Sequence, residues 1–457
     1  MGMNDTTMRK RIWGWYFFDW ASQPYNTLLL TFIYGPFFAA VAASYFMGTG
    51  LSEVAADARA QSVWSLCLTL VGIAVGIGAP VVGALADTTG RRIPWVIFFS
   101  GLYVIGASLL WFTDPAGGNM WLMLAAFGVG FIGAEFALIF TNAQLPTLGS
   151  QEEIGKVSGT GFAFGYLGGL IALVLALGLL VEQESGLTLF GVKPLFGLDA
   201  AAREGTRFVG PFTALWFALF MVPYFMWVHD LGATKLKASF SGAMASLKDS
   251  VTGLRHRRSM SAFLIGSMFY RDALNGIYSF GGVYAKLVLN WSLTTVGIFG
   301  IVSIIAAAVF AWIGGRIDKR IGPKPVIIAT IVVLTGVCFI VVGMSREQLF
   351  GMPLPEGSTL PDTVFFVCGV LIGGMGGMLQ SSSRTLMTLH TTLEKSTQAF
   401  GLYGLTGRAT AFMAPALIGI VTAATGSARL GVTPLIVLFL IGLILLAWVN
   451  PRGEREA

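Results

Sequence analysis

The sequence predicts an all-α membrane protein of twelve transmembrane helices, paired off as two pseudo-symmetric six-helix bundles. Three observations predict it. Only 11% of the residues are charged and 55% are hydrophobic, against roughly 25% charged in a soluble globular chain. Apolar runs of the length a bilayer core demands, about 20 residues each, recur from Trp13 to the stretch ending near Val449. One short polar turn also appears twice, about half the chain apart, as in transporters built from internal repeats.

Taken in order, the predicted spans are 13–46, 62–86, 93–113, 119–142, 157–181, 207–229, 259–286, 292–316, 324–344, 363–390, 397–423 and 431–449. Arg9, Lys10 and Arg11 ahead of the first run resemble a secretory signal. That run is far longer than a signal's apolar region and contains Asp19 and two prolines, so it is read as a retained helix. Its start, Trp13 to Trp20, is expected at the membrane interface. The bundles are assigned to 1–230 and 259–457, with 231–258 as a basic cytoplasmic linker.

The charge of +6 does not point to nucleic acid, because the basic residues sit in short loops between apolar runs. With both termini in the cytoplasm, about 19 of the 29 Lys and Arg fall on that side and about 7 outside. The largest group, Lys235, Lys237, Lys248, Arg255, Arg257 and Arg258, lies in the linker. Cys67, Cys338 and Cys368 fall inside apolar runs without metal-ligand spacing, and neither a disulfide nor a metal site is expected. The expected setting is a bacterial inner (plasma) membrane, with the chain a multi-pass monomer that needs no cofactor.

The repeated turn reads Gly83-Ala-Leu-Ala-Asp87-Thr-Thr-Gly90-Arg91-Arg92 in the first half. In the second it reads Gly314-Gly-Arg-Ile-Asp318-Lys-Arg320-Ile-Gly322-Pro-Lys324. The first copy resembles the loop signature of the major facilitator superfamily, and the second is a looser version of it. Glycine permits close helix approach, and the Asp can accept hydrogen bonds from a helix N-terminus or pair with Arg. Such contacts would bias one state of a two-state machine. The alternative is a solvated turn whose Arg91 and Arg92 only fix topology. Glycines spaced by four, Gly161, Gly165 and Gly169, Gly373 and Gly377, and Gly72 and Gly76, predict further close helix crossings.

Ionisable side chains at membrane depth are costly and usually serve a site or a partner. The predicted spans hold Asp19, Glu135, Arg271, Asp272, Arg384 and Arg408, joined by the polar Asn142 and Gln380. The resemblance to major facilitators implies that the first, fourth, seventh and tenth spans line a central cavity. Asp19, Glu135, Arg271, Asp272 and Arg384 all lie on those spans. Arg suits a carboxylate through its planar fork. Structural ion pairs remain the other reading, above all for Asp19 and Arg384. His390 is expected at a solvated helix end.

A narrower resemblance rests on several segments. Gln380-Ser-Ser-Ser-Arg384, Ala399-Phe-Gly-Leu-Tyr403-Gly-Leu-Thr-Gly-Arg408 and Thr425-Gly-Ser-Ala-Arg429-Leu-Gly431 are the most specific. Phe18-Asp19-Trp20-Ala21-Ser22, Asn142-Ala-Gln-Leu-Pro146, Ile154-Gly-Lys-Val-Ser-Gly159 and Phe269-Tyr-Arg-Asp272 add to them. Together they resemble the vacuolar amino-acid effluxer-like (autophagy-related) family of major facilitators. Ser22, Gln144 and Ala273 depart from its pattern. The fungal members imply amino-acid efflux from a storage compartment.

The expected function is therefore secondary transport of a small polar solute, amino acids included, by rocking of one bundle against the other. Proton coupling through Glu135, Asp19 or Asp272 is open. No phosphate-binding Gly-x-x-x-x-Gly-Lys-[Ser/Thr] loop is present, which argues against ATP hydrolysis. Efflux of drugs or lipids, or a receptor role without transport, are the alternatives. An enzyme is not expected, since no catalytic triad or metal cluster appears.

Overall fold

A computed structural model describes residues 5–230, 240–291 and 293–454. Among these, eleven helical stretches are long and apolar enough to cross a membrane. A further helix, Arg258–Leu287, is 30 residues long, with its apolar run interrupted by Arg271 and Asp272. The Lys235 and Lys237 end of the expected linker lies outside the described residues. Of the rest, Phe240–Gly253 forms a helix, and Arg258 already begins the next one.

In chain order the helices are α1 (Asp5–Pro24), α2 (Tyr34–Gly48), α3 (Glu53–Thr89), α4 (Ile93–Leu109), α5 (Met120–Asn142), α6 (Gln151–Leu179), α7 (Glu204–Phe220) and α8 (Val222–Trp227). They continue as α9 (Phe240–Gly253), α10 (Arg258–Leu287), α11 (Leu293–Ile321), α12 (Pro323–Gly343), α13 (Leu360–Leu389), α14 (Ser396–Ala409), α15 (Met413–Thr425) and α16 (Thr433–Leu445). A two-stranded hairpin, β1 (Gln348–Leu349) and β2 (Met352–Pro353), follows α12. Contacts group the chain into two compact units. One comprises Met1–Ala79, Thr89–Thr141 and Phe164–Leu236; the other comprises Pro80–Thr88, Asn142–Ala163 and Lys237–Ala457.

In the first unit the start of the first span is packed against protein. α1 begins well before Trp13, and Trp15 and Phe18 are fully buried. Gly165 and Gly169 of α6 make room for it: a Cβ on Gly165 would lie 3.1 Å from the Asp19 carbonyl oxygen. After Pro24 the chain widens into a π-helical run, Tyr25–Phe32, and breaks at Ile33 before α2 restarts. Wide turns of this kind are uncommon and concentrate at functional positions. Tyr25 donates to the Phe127 carbonyl at 2.7 Å and stacks on Phe131. Asp230 accepts the Arg92 and Ile93 N–H groups, at 2.9 and 3.2 Å, at the start of α4. A cap of this type contributes about 1 kcal/mol. Gly72 does not serve a close crossing, since the space around it is open to 4 Å.

In the second unit α13 packs against α11 and α12, and α10 against α16. The α11–α13 crossing is tight because Gly377 faces the Ala307 carbonyl, where a Cβ would sit 2.5 Å away. The eleventh span is two helices, α14 and α15, separated by Thr410–Phe412. Pro415 explains the break: it has no N–H to donate and its ring collides with the carbonyl one turn back, that of Ala411.

His390 is another correction. It is fully buried rather than solvated, with Nε2 2.7 Å from Ser259 Oγ and Nδ1 2.9 Å from the Leu386 carbonyl. The C-terminal segment covers it. Glu454 accepts the Ser259 and Met260 N–H groups at the start of α10, and Arg257 donates to the His390 and Glu454 carbonyls.

Candidate functional site

The two copies of the repeated turn share a shape. α3 and α11 each end just before a left-handed glycine, Gly90 at φ +64° and Gly322 at φ +83°, a conformation that favours glycine. Their aspartates do different work. Asp87 accepts the N–H groups of Thr397 at 3.3 Å and Gln398 at 2.8 Å, in the first turn of α14. There the helix dipole favours a negative charge. Gly83 lets the helices meet, because a Cβ on it would lie 2.8 Å from the Thr397 carbonyl oxygen. Asp318 is buried and accepts the Ser382 hydroxyl at 2.8 Å. It faces Gly155 of α6, where a Cβ would lie 2.5 Å from its own. Gly315 likewise passes Gly155, with 2.5 Å between a Cβ there and the Gly155 oxygen, and Gly314 abuts Met378. Arg91 and Arg320 are exposed, while the Arg92 side chain is buried.

Arg384 ties this end of the second unit together. Only 2% exposed on α13, it donates from Nε to Ser158 Oγ at 3.0 Å and from Nη2 to the Ser158 carbonyl at 2.7 Å. Nη1 reaches Asn142 Oδ1 at 3.1 Å, and the guanidinium lies over the Phe162 ring at 4.1 Å. Ser158 itself donates to the Ser381 carbonyl at 2.9 Å. Sequence reasoning paired neither Ser158 nor Phe162 with Arg384; only the shared motif-like character of 142–146 and 154–159 pointed there. Gln380 lies one turn before Arg384 on α13, with its amide 3.5 Å from the Gly376 carbonyl.

A second cluster surrounds the break between α14 and α15. Arg271, half-buried in the middle of α10, donates from Nη1 to the Tyr403 carbonyl at 2.8 Å and sits 4.2 Å above the Tyr403 ring. Gly407 leaves space for the guanidinium; a Cβ there would lie 2.5 Å from Nη2. Asp272, 2% exposed, accepts the Ala414 N–H at 2.8 Å in the first turn of α15. Thr410 in the break donates to the Met268 carbonyl at 3.2 Å, so α10 holds both sides of it. Arg408 stands in the last turn of α14. The neighbouring Tyr270 is fully buried and hydrogen-bonded to Ser383 at 2.9 Å.

Of the predicted site residues, Arg271, Asp272 and Arg408 therefore gather at the helix break, and Asn142 and Arg384 meet in the tie. Asp19, buried on α1, and Glu135, half-buried on α5, belong to the other unit.

A family profile described as vacuole effluxer Atg22 like matches residues 7–457. The chain belongs to the Atg22-like effluxer family. Among the relatives of this Atg22-like chain is the uncharacterized MFS-type transporter YxiO of Bacillus subtilis (strain 168), 25% identical, with 97% of this chain and 95% of the relative covered. Autophagy-related protein 22 of Cryptococcus neoformans is 26% identical over 66% of this chain; the match covers about half, 52%, of that fungal protein. Solved structures agree on the fold. The proton:xylose symporter XylE, bound to 6-bromo-6-deoxy-D-glucose, superposes with a TM-score of 0.72 at 13% identity, covering 99% of both chains. The human organic anion transporter MFSD10 gives 0.71 at 14% identity, covering 96% of this chain and 99% of the other. The fold is that of major facilitator transporters, and the Atg22-like chain is a multi-pass membrane protein of that superfamily.

Proposed function

We propose that this Atg22-like chain is a secondary active transporter that exports small polar solutes, amino acids foremost, by alternating access. The observation that carries the reading is Arg271 beside Asp272 at the middle of α10, against a transmembrane helix broken between Arg408 and Ala414. Discontinuous helices with charged side chains at mid-membrane are where transporters commonly hold substrate and coupling ions. In this reading Arg271 and Arg408 hold a substrate carboxylate. The Asp87 cap and the Arg384 tie belong to a gate. That gate lies on the cytoplasmic side, with both termini there and the chain working as a monomer in a bacterial plasma membrane. The transporting halves are 1–230 and 259–457.

A thermal-shift screen of detergent-purified protein against amino acids, peptides, sugars and nucleosides tests the cargo. A ligand at 100 times its dissociation constant stabilises the fold by about 2.7 kcal/mol when it does not bind the unfolded chain. A shift confined to amino acids and lost in Arg271→Ala supports the reading. A shift confined to other solutes, or one unchanged in Arg271→Ala and Arg408→Ala, overturns it, and silence across the panel moves weight to drug or lipid efflux or a receptor role.

A further inference from the structure

We propose that Asp272 is the proton-binding residue of this transporter and that it acts on the break in the eleventh span. The inference rests on the transport reading above and names the coupling group within it. Asp272 is 2% exposed at the middle of a 30-residue helix, and its two oxygens are unequal. Oδ2 accepts the Ala414 N–H at 2.8 Å, whereas Oδ1 is buried with no hydrogen-bond partner. A buried acceptor without a donor is rare, because water is given up and nothing replaces it. A proton on Oδ1 removes the charge at that place and leaves Oδ2 accepting the Ala414 N–H in a weaker, uncharged bond.

The surroundings favour a proton over a metal ion. α15 and α16, both packed on α10, contain no titratable side chain. The turn at Leu446–Trp448, also against α10, contains none either. α14 brings Tyr403 and Arg408, and α10 itself brings Tyr270 and Arg271. Tyr270 is held by Ser383, and Arg271 is engaged with Tyr403. α13 contributes Arg384, bound to Ser158 and Asn142, and Asp362, paired with Arg346 near its start. The charged residues of α11, Arg316 to Arg320, lie in its last turns. No group of three or more candidate metal ligands occurs among the described residues. A bound metal ion asks for several oxygens at once.

The consequence is mechanical. The ionised carboxylate is attracted to the N-terminus of α15, which carries about half a positive charge. When Oδ1 takes a proton from water on one side, that attraction falls and the Ala414 bond loses its charge assistance, so α15 is held less tightly and reorients more readily about residues 410–412. Return of the proton to water on the other side restores the pin. Arg408, in the turn before the break, moves with it.

Infrared difference spectroscopy of the purified protein tests this without any cargo. The pH is stepped from about 8 to about 5.5, a range in which exposed carboxylates stay ionised. A carboxylic-acid C=O band is expected in the wild type, shifted by ¹³C-labelled aspartate, lost in Asp272→Asn and kept in Asp19→Asn and Glu135→Gln. The amide oxygen of Asp272→Asn still accepts the Ala414 N–H, so the cap survives. If that variant does not fold, the labelled Asp19→Asn and Asp318→Asn proteins decide, since Asp318 is also buried with an unpartnered oxygen, and a band lost with Asp318 overturns the assignment. A band that is absent, insensitive to the aspartate label, or lost with Asp19 or Glu135 overturns the assignment. A missing band alongside intact amino-acid binding overturns Asp272 alone. A silent ligand screen alongside the band overturns the cargo alone.

Discussion

The Asp87 carboxylate caps a helix that begins more than three hundred residues later, accepting the Gln398 N–H at 2.8 Å. Asp318, its counterpart in the repeat, instead accepts the Ser382 hydroxyl inside a packed crossing. Related turns thus do different jobs because different segments face them, the start of α14 in one case and the C-terminal half of α13 in the other. Asp87→Ala removes the cap and is expected to lower stability by about 1 kcal/mol. Asp87→Asn, which keeps an acceptor, should fall by less. Thermal melting of the purified variants checks both; equal losses would mean that charge, not capping, is what Asp87 supplies.

The α6–α11 crossing predicts a contrast between glycines. Gly315→Val drives a side chain into the Gly155 carbonyl, and overpacking of this kind costs about 1–3 kcal/mol. Gly72→Ala meets open space and should melt at or above the wild-type temperature, since Ala is the better helix former. A Gly315→Val protein as stable as Gly72→Ala would show that the crossing is loose in the membrane.

The span pattern is legible in the sequence because a bilayer allows few backbone solutions, and apolar length announces them. The pairs of glycine and aspartate at Gly83–Asp87 and Gly314–Asp318 are legible because they recur. What each aspartate touches is not, for Gln398 and Ser382 arrive from distant segments. The charged residues of α10 stand out against their apolar run, yet the break beside them is hidden within one continuous apolar stretch. Pro415 is the signal that finds it. His390 reads as an exposed helix end only while the C-terminal segment that buries it is ignored.

Arg384 separates a tie from a substrate ligand. Its guanidinium makes three hydrogen bonds at once, to Ser158 Oγ, the Ser158 carbonyl and Asn142. A hydrogen bond to a charged group contributes about 1.5–3 kcal/mol, so Arg384→Ala should lower the melting temperature before any ligand is added. Arg384→Lys should not rescue it, since a point charge cannot span the fork. Were Arg384 a substrate ligand only, the unliganded protein would melt normally and the ligand-induced shift alone would vanish.

His390 predicts how stability depends on acid. Burial holds its pKa below the ordinary 6.5, with the nearby Arg257 acting in the same direction against the Leu386 hydrogen bond and Glu454. The unfolded chain then binds a proton as the pH falls through about 6.5 while the folded chain refuses it. Stability from this group is complete above that pH, falls as the pH drops below it, and levels off only beneath the folded pKa. His390→Gln removes the titration but keeps hydrogen-bonding capacity towards Ser259. Its melting temperature should therefore fall less than the wild type's between about pH 7.5 and about pH 5.5. Parallel curves for the two proteins would show that the imidazole takes its proton in the folded state as readily as in the unfolded one.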